Sequence, residues 1–327
     1  MFDVVAIGEL LIDFVQTEVS KTGDPVFQAN PGGAPCNVLA MLQKLGLKTA
    51  FIGKVGNDIF GHRLKNVLSE IGINTESLVF DEYTRTTLAF VATDELGDRS
   101  FSFFRNPGAD MMLSKDDIDK SVIDSCRALH FGTLSMTHKN PEEATKAAIY
   151  IAKSSGTIIS FDPNLRPPLW TNLDIARQQM DYGCSVSDIV KIEENELTFL
   201  MECADNEKAL DLFREKYRNI KMLTVTAGRN GSKAFFGDVK AEKPTFVDVK
   251  TIDTTGAGDT FCACCLNWYI KNRHRNDINA EELGDLLTFA NAAASIVTTR
   301  KGALLSMPEI NEINNLIKTY RMENDYE

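Results

Sequence analysis

The sequence predicts a single α/β domain over residues 1–327, with a mostly parallel central sheet, helices on both of its faces, and a small β lid formed by about residues 11–28 and 84–106. Three observations lead to this fold class. Short apolar runs recur along the chain, as in strands that are buried on both faces. Segments with helical spacing lie between these runs, and such alternation favours a parallel sheet. Two further segments break the alternation and predict the lid.

The predicted strands of the central sheet are short apolar runs, most of them next to Gly, Pro or Asp. They are Val4 to Ile7, Thr49 to Ile52, Ala128 to Phe131, Thr157 to Phe161, Ile189 to Ile192 and Met222 to Val225. Between them, apolar residues recur at the spacing of amphipathic helices. These helices are Asn37 to Leu45, Gly61 to Ile71, Pro141 to Ser154 and Ala204 to Tyr217. After Lys250, a glycine-rich turn precedes long helical stretches.

Two segments are predicted as strands outside this alternation. Leu11 to Phe27 predicts short strands with polar interruptions, and Thr86 to Arg105 predicts two strands around the turn D-E-L-G-D. By the two-residue period, Phe101, Phe103 and Arg105 share one face of the last strand. A lid over the edge of the main sheet and an ordinary edge hairpin explain this pattern equally well.

Composition and charge exclude several classes of protein. With 43% hydrophobic and 25% charged residues, the chain can bury a large core, which excludes disorder as its main state. The 46 acidic and 35 basic side chains leave a formal charge of -11, which repels nucleic acid and anionic lipid. The sequence therefore predicts neither nucleic acid nor a membrane as a partner.

The seven cysteines and four histidines lack the spacing of a disulfide framework or a zinc site. Reduced thiols in the cytoplasm fit this pattern, and Cys262, Cys264 and Cys265 are expected to be buried and inert. A basic segment followed by an apolar core is absent at the beginning, and no apolar run has the length of a membrane span. The expected location is cytoplasmic.

The segment from Thr251 to Ala263, T-I-D-T-T-G-A-G-D-T-F-C-A, carries the predicted chemistry. Gly256, Ala257 and Gly258 leave the backbone uncrowded, so that their N–H groups and the start of the following helix can bind an anion. Asp259 lies in the first helical turn, where it can accept the proton of a hydroxyl that attacks a phosphate. We therefore predict a phosphate site with Asp259 as the catalytic base.

The same segment has simpler interpretations. Asp is favoured at helix starts without any catalytic role, and an isolated G-x-G-D is more often a helix cap after a turn. A dinucleotide site would need a third glycine, which is absent, and the chain has no G-K-[ST] sequence for a P-loop. The catalytic interpretation depends on the rest of the sequence.

Two segments carry family-like motifs. Asn30 to Asn37 reads N-P-G-G-A-P-C-N and is followed by Gly46 and Gly56, and Asp253 to Asp259 reads D-T-T-G-A-G-D. These segments are similar to the first and the second signature of the ribokinase-like carbohydrate kinases, the PfkB family, and the resemblance runs along nearly the whole chain. Within the family, F-D-P-N-L-R-P-P-L-W from Phe161 to Trp170 most resembles fructokinases. The resemblance implies a ribokinase-like fold.

The resemblance also implies residues that bind the sugar. Polar side chains would bond its hydroxyls, glycines would let its ring approach the backbone, and the lid would close over it. The implied residues are Asp13, Gly32, Gly33, Asn37, Phe103, Arg105, Asn164 and Arg166. Arg166 is also the candidate for a phosphate contact, because a guanidinium can grip a phosphate through two bonds. Taken singly, Arg105 and Arg166 would be surface ion pairs.

For ATP and its Mg²⁺ ion, the resemblance implies a second group of residues. They are Lys191, Glu196, Thr226, Gly228, Gly231 and Asn291. Glu196 would meet Mg²⁺ through water, which suits an ion that keeps several waters. Glu193 stands where the family motif has Asn, and an exposed helix start remains the alternative for this segment.

A monovalent cation, K⁺, is a further implied cofactor. The positions that align with its ligands in the ribokinase branch are Asp253, Thr255, Val297, Gly302 and Ser306. Most of these would act through backbone oxygens, which residue identity hardly constrains.

The predicted activity is transfer of the γ-phosphate of ATP to fructose, at the 6-hydroxyl. Within the same fold, 2-keto-3-deoxygluconate, ribose or a riboside are alternative acceptors. A non-catalytic interaction protein of this fold would be expected to lose Asp259 or the glycines, which are intact. A dehydrogenase would need a dinucleotide fingerprint after the first strand, which G-E-L-L-I-D is not. A homodimer is expected, because lids of this family often pair through exposed strand edges.

Overall fold

The computed structural model describes residues 1–93, 99–247 and 249–324. The strands in these ranges are β1 (Phe2–Ile7), β2 (Leu11–Val19), β3 (Pro25–Gly32), β4 (Thr49–Gly56), β5 (Leu78–Asp81), β6 (Leu88–Thr93), β7 (Arg99–Phe104), β8 (Cys126–Phe131), β9 (Ile158–Phe161), β10 (Ile189–Glu193), β11 (Met222–Thr226), β12 (Ser232–Phe236) and β13 (Val239–Lys243). The helices are α1 (Ala34–Lys44), α2 (Ile59–Glu70), α3 (Lys120–Asp124), α4 (Lys139–Ser154), α5 (Leu173–Val186), α6 (Glu194–Met201), α7 (Asn206–Lys216), α8 (Ala257–Asn272), α9 (Ala280–Thr298) and α10 (Ile310–Asn324). The predicted D-E-L-G-D turn, residues 94–98, and the side chain of Phe101 lie outside the described part of the chain.

Nine of the described strands form the large sheet, in the order β5-β4-β1-β8-β9-β10-β11-β12-β13. Neighbours are parallel except at β12, which is antiparallel to β11 and β13. The predicted mostly parallel sheet is confirmed, and each predicted strand is part of it. The sequence did not predict β5, β12 or β13, because these strands lie at or near the sheet edges and lack continuous apolar runs.

Both faces of the large sheet are buried, which explains the apolar runs. Because successive side chains of a strand point to opposite faces, Val4 and Ala6 of β1 join one hydrophobic cluster, and Val5 and Ile7 join the other. Helices α1, α8 and α9 cover the first face, whereas α4, α5 and α7 cover the second. The sheet thus forms the rigid centre of an α/β fold.

The helices begin where the local sequence supplies suitable first-turn residues. Helix α1 begins at Ala34, earlier than predicted from its apolar spacing, because Pro35 fits the first turn without losing a needed N–H donor. Helix α2 begins after Asp58, whose Oδ1 accepts from the N–H groups of Phe60 and Gly61 at 3.0 and 2.9 Å. None of the described helices is long and apolar enough to cross a membrane.

The predicted small sheet is a separate sheet in the order β3-β2-β6-β7. Strands β2 and β6 are parallel, whereas β2–β3 and β6–β7 are antiparallel. The edge hairpin that was the alternative would have joined the large sheet, so the structure favours a distinct sheet. The polar residues of β2 do not interrupt the strand, because residues 13–17 are only half-buried on both of its sides.

The order of the large sheet reverses between β1 and β8. The chain moves from β1 to β4 on one side and later returns through β8 on the other side. Ligands of open α/β sheets bind in the crevice outside the carboxyl ends of the strands at such a reversal. A ligand site is therefore expected among the residues that follow β1, β8 and β9.

Candidate active site

Asp259 lies in the first turn of α8 and does not cap that helix. The capping position is occupied by Gly256, with φ 83°, and it makes no side-chain capping bond. Asp259 is buried, and its Oδ2 accepts a hydrogen bond from Asn37 Nδ2 at 2.8 Å. The helix-cap alternative is therefore not supported, because the carboxyl is directed to another helix.

Burial and the neighbouring charges shift the pKa of Asp259. Burial and the nearby charge of Asp162 raise its pKa to about 6, although Asn37, Lys191 and Arg166 favour the charged form. A general base works best when its pKa lies near the working pH. The carboxylate is therefore mostly ionised at neutral pH and remains basic enough to take a proton.

The glycines before Asp259 are required by close contacts. A Cβ on Gly256 would lie 2.6 Å from Ala303 Cβ, and the positive φ of Gly256 itself favours glycine. A Cβ on Gly258 would lie 3.0 Å from Lys191 Nζ. Gly258 at the start of α8 thus lies next to a lysine ammonium, and such a place suits an anion.

Asp13 and the two glycines at the end of β3 form the next part of the predicted site. A Cβ on Gly32 would lie 2.2 Å from Asp13 Oδ2, so glycine lets the carboxyl rest against the backbone. Gly33 has φ 128°, and a Cβ there would lie 2.4 Å from the Glu9 carbonyl oxygen. Asn37 Oδ1 is buried and has no hydrogen-bond partner among the described residues. An acceptor in this state suits a ligand hydroxyl.

Three acidic groups and one guanidinium influence one another here. Burial raises the pKa of Asp13 to about 7, Arg166 lowers it, and the charges of Asp253 and Asp259 raise it. Asp13, Arg166, Asp253 and Asp259, which were predicted for different parts of the site, thus lie close enough for their charges to act on one another. The region is acidic enough to favour a cation or hydroxyl donors.

A small cavity lies at the reversal of strand order. Its volume is about 10 Å³, which is about the space for one water molecule. The lining residues include Glu9 after β1, His130 on β8, and Asp162 after β9, together with Asn164 and Asp259. The carboxyl-end crevice and the predicted base therefore coincide.

Sequence reasoning missed Glu9, His130 and Asp162. Glu9 Oε1 accepts from Ala34 N at 2.9 Å, and burial raises the pKa of Glu9 to about 7. His130 shares a 3.0 Å hydrogen bond with Ser160 Oγ, and burial lowers its pKa to about 4. Their position at or just after strand ends was the signal that would have found them.

Lys191 and Glu196 are both buried beside the segment that follows β9. Lys191 Nζ lies 3.2 Å from Asp162 Oδ2. Glu196 Oε1 accepts from Leu165 N at 2.7 Å, and Oε2 accepts from Glu193 N at 2.9 Å. The latter bond is part of a capping box of α6, but the burial of Glu196 contradicts an exposed helix start. Both carboxylate oxygens of Glu196 thus accept hydrogen bonds from backbone N–H groups.

Asn164 and Arg166 differ in exposure. Asn164 has a positive φ of 45° and half-buried surroundings, and its N–H donates to Asp162 Oδ1 at 3.2 Å. Arg166 is exposed, and its Nη1 donates to the neighbouring Leu165 carbonyl at 3.2 Å. The exposed guanidinium can move toward a ligand at little cost.

Arg105 departs from the predicted strand face. Strand β7 ends at Phe104, and Arg105 beyond it is buried. Its Nε donates to Asp110 Oδ2 at 2.7 Å, and Nη1 donates to Thr137 Oγ1 at 2.8 Å. This buried ion pair sets the direction of the Arg105 side chain, and the two-residue period of the strand does not. Phe103, which the same period placed on one face with Arg105, is half-buried.

The predicted nucleotide residues form a second group at the ends of β11 and β13. Gly228 and Gly231 have φ values of 55° and 98°, and a Cβ on Gly231 would lie 2.2 Å from the Lys243 carbonyl oxygen. Thr226 is the last residue of β11. Asn291 of α9 accepts from Ser232 Oγ at 3.0 Å and donates to the Lys243 and Pro244 carbonyls. Asn291 thus fastens this loop to α9.

The five predicted K⁺ positions converge around the turn before α8. Asp253 Oδ1 accepts from Thr255 N and Oγ1 at 2.9 and 2.6 Å. Ser306 Oγ donates to the Gly302 carbonyl. Val297 lies 3.7 Å from the position of a Cβ on Gly256. In the described part of the chain, no three His, Cys, Asp or Glu side chains form a metal cluster.

A second cavity lies between the small sheet and this turn. It has a volume of about 170 Å³, and its lining includes Val15 and Val91 from the small sheet. Ile252, Asp253 and Lys301 line the opposite side. The small sheet therefore covers the turn that leads into the site.

Comparison with known proteins places the chain in a family. The model of the pfkB family carbohydrate kinases matches residues 1–310. The chain is 39% identical over 319 residues to probable fructokinase-2 of Arabidopsis thaliana, covering 96% of this chain and 95% of that protein. Fructokinase-2 of Zea mays is 39% identical over 321 residues, covering 96% of this chain and 93% of that protein.

Solved structures are similar over the same extent. The crystal structure of fructokinase with bound ATP from Xylella fastidiosa has a TM-score of 0.87 and 30% sequence identity, covering 98% of this chain and 100% of that chain. A putative ribokinase II from E. coli, in its apo form, has a TM-score of 0.86 and 26% identity, covering 98% and 100%. The ribokinase-like fold is therefore confirmed. The chain belongs to the pfkB family of carbohydrate kinases, phosphotransferases that take an alcohol group as acceptor.

Proposed function

We propose that the protein transfers the γ-phosphate of ATP to the 6-hydroxyl of D-fructose, producing fructose 6-phosphate and ADP. The observation that carries the proposal is the buried Asp259 carboxyl directly after the glycine turn of α8. The fructokinases among its relatives, at 39% identity, support fructose as the acceptor. ATP as donor is supported by the Xylella fastidiosa fructokinase structure, which has ATP bound.

In the proposed reaction, Asp259 takes the hydroxyl proton while the sugar oxygen attacks the γ-phosphorus in line. The Gly256–Gly258 N–H groups stabilise the charge that develops on the phosphoryl oxygens. When bound with ATP, Mg²⁺ would neutralise phosphate charge. Glu196 would hold it through water, since both of its oxygens already accept backbone amides.

The sugar would lie between Asp13 and Asn37, close to Gly32 and Gly33. Asp13 would accept from sugar hydroxyls, and the unpaired Asn37 Oδ1 would accept another. The small sheet would act as a lid that excludes water, because its cavity faces the turn of the site. The predicted sugar contacts of Phe103, Arg105, Asn164 and Arg166 belong to the same proposal.

We also propose K⁺ as an activating ion held near Asp253, Thr255, Val297, Gly302 and Ser306. A solved fructokinase of Vibrio cholerae, with fructose, ADP and potassium ion bound, is 29% identical to this chain. An ion beside the turn would fix the backbone of the anion site. Thr226, Gly228, Gly231 and Asn291 would border ATP, since they form one group around the ends of β11 and β13.

The test is a panel of fructose, ribose and 2-keto-3-deoxygluconate with Mg-ATP, with and without K⁺, in a coupled ADP-release assay. We expect fructose to give the highest kcat/KM and K⁺ to raise kcat. Phosphate on the 6-oxygen can be checked by phosphorus NMR of the product. Preference for ribose or the keto-deoxy acid would contradict fructose as substrate but not the kinase chemistry.

The pH dependence of kcat/KM should report two carboxyls. With pKa values of about 6 for Asp259 and about 7 for Asp13, both groups must lose a proton before the free enzyme can use the sugar. We expect kcat/KM for fructose to rise with pH through this range, and to change by about two powers of ten per pH unit at the acidic end. Measurement at constant ionic strength would check this profile.

Asp13→Asn serves as the comparison for that profile. Because Asn at position 13 has no proton to lose, kcat/KM for fructose should change by only about one power of ten per pH unit at acidic pH. KM for fructose should be higher than in the unaltered protein. A profile of the unaltered protein that stays flat through both pKa values would contradict the roles of the two carboxyls.

We propose a homodimer that forms through the small sheet. Aromatic rings follow one another across this sheet: Phe90 is stacked on Phe14 at 4.8 Å and lies 5.4 Å from Phe27 and 5.2 Å from Phe104. Phe104 is 63% exposed. The edge strands β3 and β7 also have one side without a described neighbour. An apolar row on such a sheet suits a second copy of this chain.

The expected result is a dimer in sedimentation at micromolar concentration, which Phe104→Glu converts to monomer. Tyr150→Glu is the matched control, because Tyr150 is 75% exposed on α4 and lies outside the aromatic row. Its sedimentation should equal that of the unaltered protein. A monomer in the unaltered protein would remove the proposal.

The cytoplasm is the proposed compartment, in agreement with seven cysteines that are all unpaired. Cys262, Cys264 and Cys265 lie buried on α8, and burial raises the pKa of each thiol well above its usual value. They are therefore poor nucleophiles. A packing role is what we propose for them.

A further inference from the structure

A buried ion pair lies beside the glycine turn that precedes the proposed base. Lys191 Nζ lies 3.2 Å from Asp162 Oδ2 and 3.3 Å from Oδ1, with side-chain exposures of 9% and 4%. Desolvation of two charges is costly, and hydrophobic residues often replace such pairs without loss of stability. A pair kept in a cleft next to perturbed carboxyls is a candidate for function.

The Lys191 ammonium lies against the anion-binding turn. A Cβ on Gly258 would lie 3.0 Å from Lys191 Nζ, so the absence of a side chain there leaves room for the ammonium. Burial by itself would lower the pKa of Lys191, but the charges of Asp162 and Glu196 raise it above its usual value. The group therefore remains a cation beside the backbone N–H groups of the turn.

Asp162 is fixed by the end of the large sheet. Its N–H donates to the Phe131 carbonyl at 3.2 Å, and its Oδ1 accepts from Asn164 N at 3.2 Å. The next residue, Pro163, has its carbonyl bonded by Thr133 Oγ1 at 2.6 Å. The position of the Asp162 carboxylate is thus fixed. Lys191 has a long side chain with several rotatable bonds, so its ammonium needs a fixed partner to hold it in one place.

We propose that Asp162 is a positioning residue for phosphoryl transfer, which holds Lys191 Nζ beside the Gly256–Gly258 turn, where the ammonium contacts the phosphoryl group in transit. The inference rests on the proposed kinase function and adds a catalytic cation to it. The bond from the γ-phosphorus to the ADP oxygen breaks as the bond to the sugar oxygen forms. ADP leaves with the electron pair of the broken P–O bond, and Asp259 receives the proton of the sugar hydroxyl. The Lys191 ammonium transfers no proton.

The test compares Asp162→Asn, Lys191→Met and the double variant with fructose and Mg-ATP. We expect Lys191→Met to lower kcat by about 100-fold and Asp162→Asn by about 10-fold, with KM for fructose nearly unchanged. The double variant should resemble Lys191→Met, because Asp162 acts through Lys191. It also removes both charges together, so that no unpaired charge is left buried and folding can be checked by thermal unfolding.

Lys54→Met is the matched control. Lys54 Nζ lies 2.8 Å from Asp117 Oδ2, with side-chain exposures of 11% and 18%, and neither residue lines the small cavity. Its loss should lower stability and leave kcat unchanged. This separates the cost of losing a buried pair from an effect on the reaction.

The acidic limb of the kcat profile checks that the charge of Asp162 acts on Asp259. The Asp259 carboxyl is influenced by Asp162 after β9, Lys191 on β10 and Arg166, and it faces Asn37 on α1. Asp13 on β2 and Cys262 on α8 also interact with it. Removing the Asp162 charge should move the limb to lower pH, since that charge raises the pKa of Asp259. This shift is expected whether or not Lys191 contacts the phosphoryl group. The fall in kcat at a nearly unchanged KM, together with the double variant, is therefore what separates positioning from a structural role.

Two outcomes would overturn the inference. A folded double variant with a kcat within about threefold of the unaltered protein would show that the pair is structural, while turnover of fructose would still support the proposed function. An Asp162→Asn protein with reduced stability but an unchanged kcat would do the same. Loss of sugar turnover in the unaltered protein would instead reject the function and this inference together.

Discussion

Replacing Asp259 with Asn should lower kcat by about 10²- to 10⁴-fold and leave KM for ATP and fructose close to that of the unaltered protein. Asn has the same shape and can keep a hydrogen bond with Asn37, which lies 2.8 Å from the present carboxyl. It cannot accept the hydroxyl proton. A coupled ADP-release assay with saturating sugar and Mg-ATP measures the loss, and an almost unchanged rate would reject Asp259 as the base.

Stability should separate the catalytic role from a structural one. The folded protein raises the pKa of Asp259 to about 6 from 3.8, so the protonated group stabilises the fold at low pH, and this contribution is lost as pH rises through about 6. At pH 8 the charged carboxylate is therefore unfavourable, and the neutral Asn should unfold at no lower temperature. Loss of turnover without loss of stability is the expected combination.

Asp58→Ala is the matched control for this prediction. Asp58 also lies at the start of a helix, but its carboxyl caps α2 through bonds to the Phe60 and Gly61 amides. Its removal should cost about 0.5–2 kcal/mol of unfolding free energy and leave kcat unchanged. If the two variants behaved alike, the helix-cap interpretation of Asp259 would regain support.

Replacing Gly256 with Ala should lower both turnover and stability. The residue has φ 83°, and the new Cβ would lie 2.6 Å from Ala303 Cβ. The turn must shift, and its N–H groups would leave the place at which we propose that they bind the phosphoryl oxygens. We expect kcat to fall by about 10²- to 10³-fold and the unfolding free energy by about 1–3 kcal/mol. Steady-state kinetics and chemical denaturation measure the two effects.

Gly46→Ala is the matched control for Gly256→Ala, because it introduces the same backbone strain without a steric contact. Gly46 has φ 82° after α1, and a Cβ there would meet no atom within 4 Å. Its stability should fall by about 1 kcal/mol, whereas kcat should not change. Equal kinetic losses in the two glycine variants would argue against an anion site at Gly256.

Local sequence patterns predicted much of the fold because the sheet is buried on both faces. In β1 five of the six residues are apolar, and most residues of β8 and β10 are apolar too, so the strand signal is strong. The edge strand β13 alternates polar residues with the buried Ala241, and it escaped prediction. The turn at Gly256 was also predictable, because its conformation excludes most other residues.

The site was predicted unevenly for the same reason. Asp259 was predicted from a local motif, whereas Asp162 stood within F-D-P-N-L-R without an assigned role. Arg105 was placed on a strand face from its period, but a buried ion pair with Asp110 decides its position. Such pairing depends on which segments meet in space, and sequence spacing does not encode that.

The sequence by itself determined the alternation of strands and helices, the glycine turn, and the candidate base that follows it. These features depend on residue periodicity and on backbone angles, which are local properties. Only the tertiary structure decided that Asn37, 222 residues away, bonds Asp259, and that Asp162 holds Lys191 beside Gly258. Burial in that packed crevice then shifts the carboxyl pKa values, because desolvation and neighbouring charges arise only when distant segments come together.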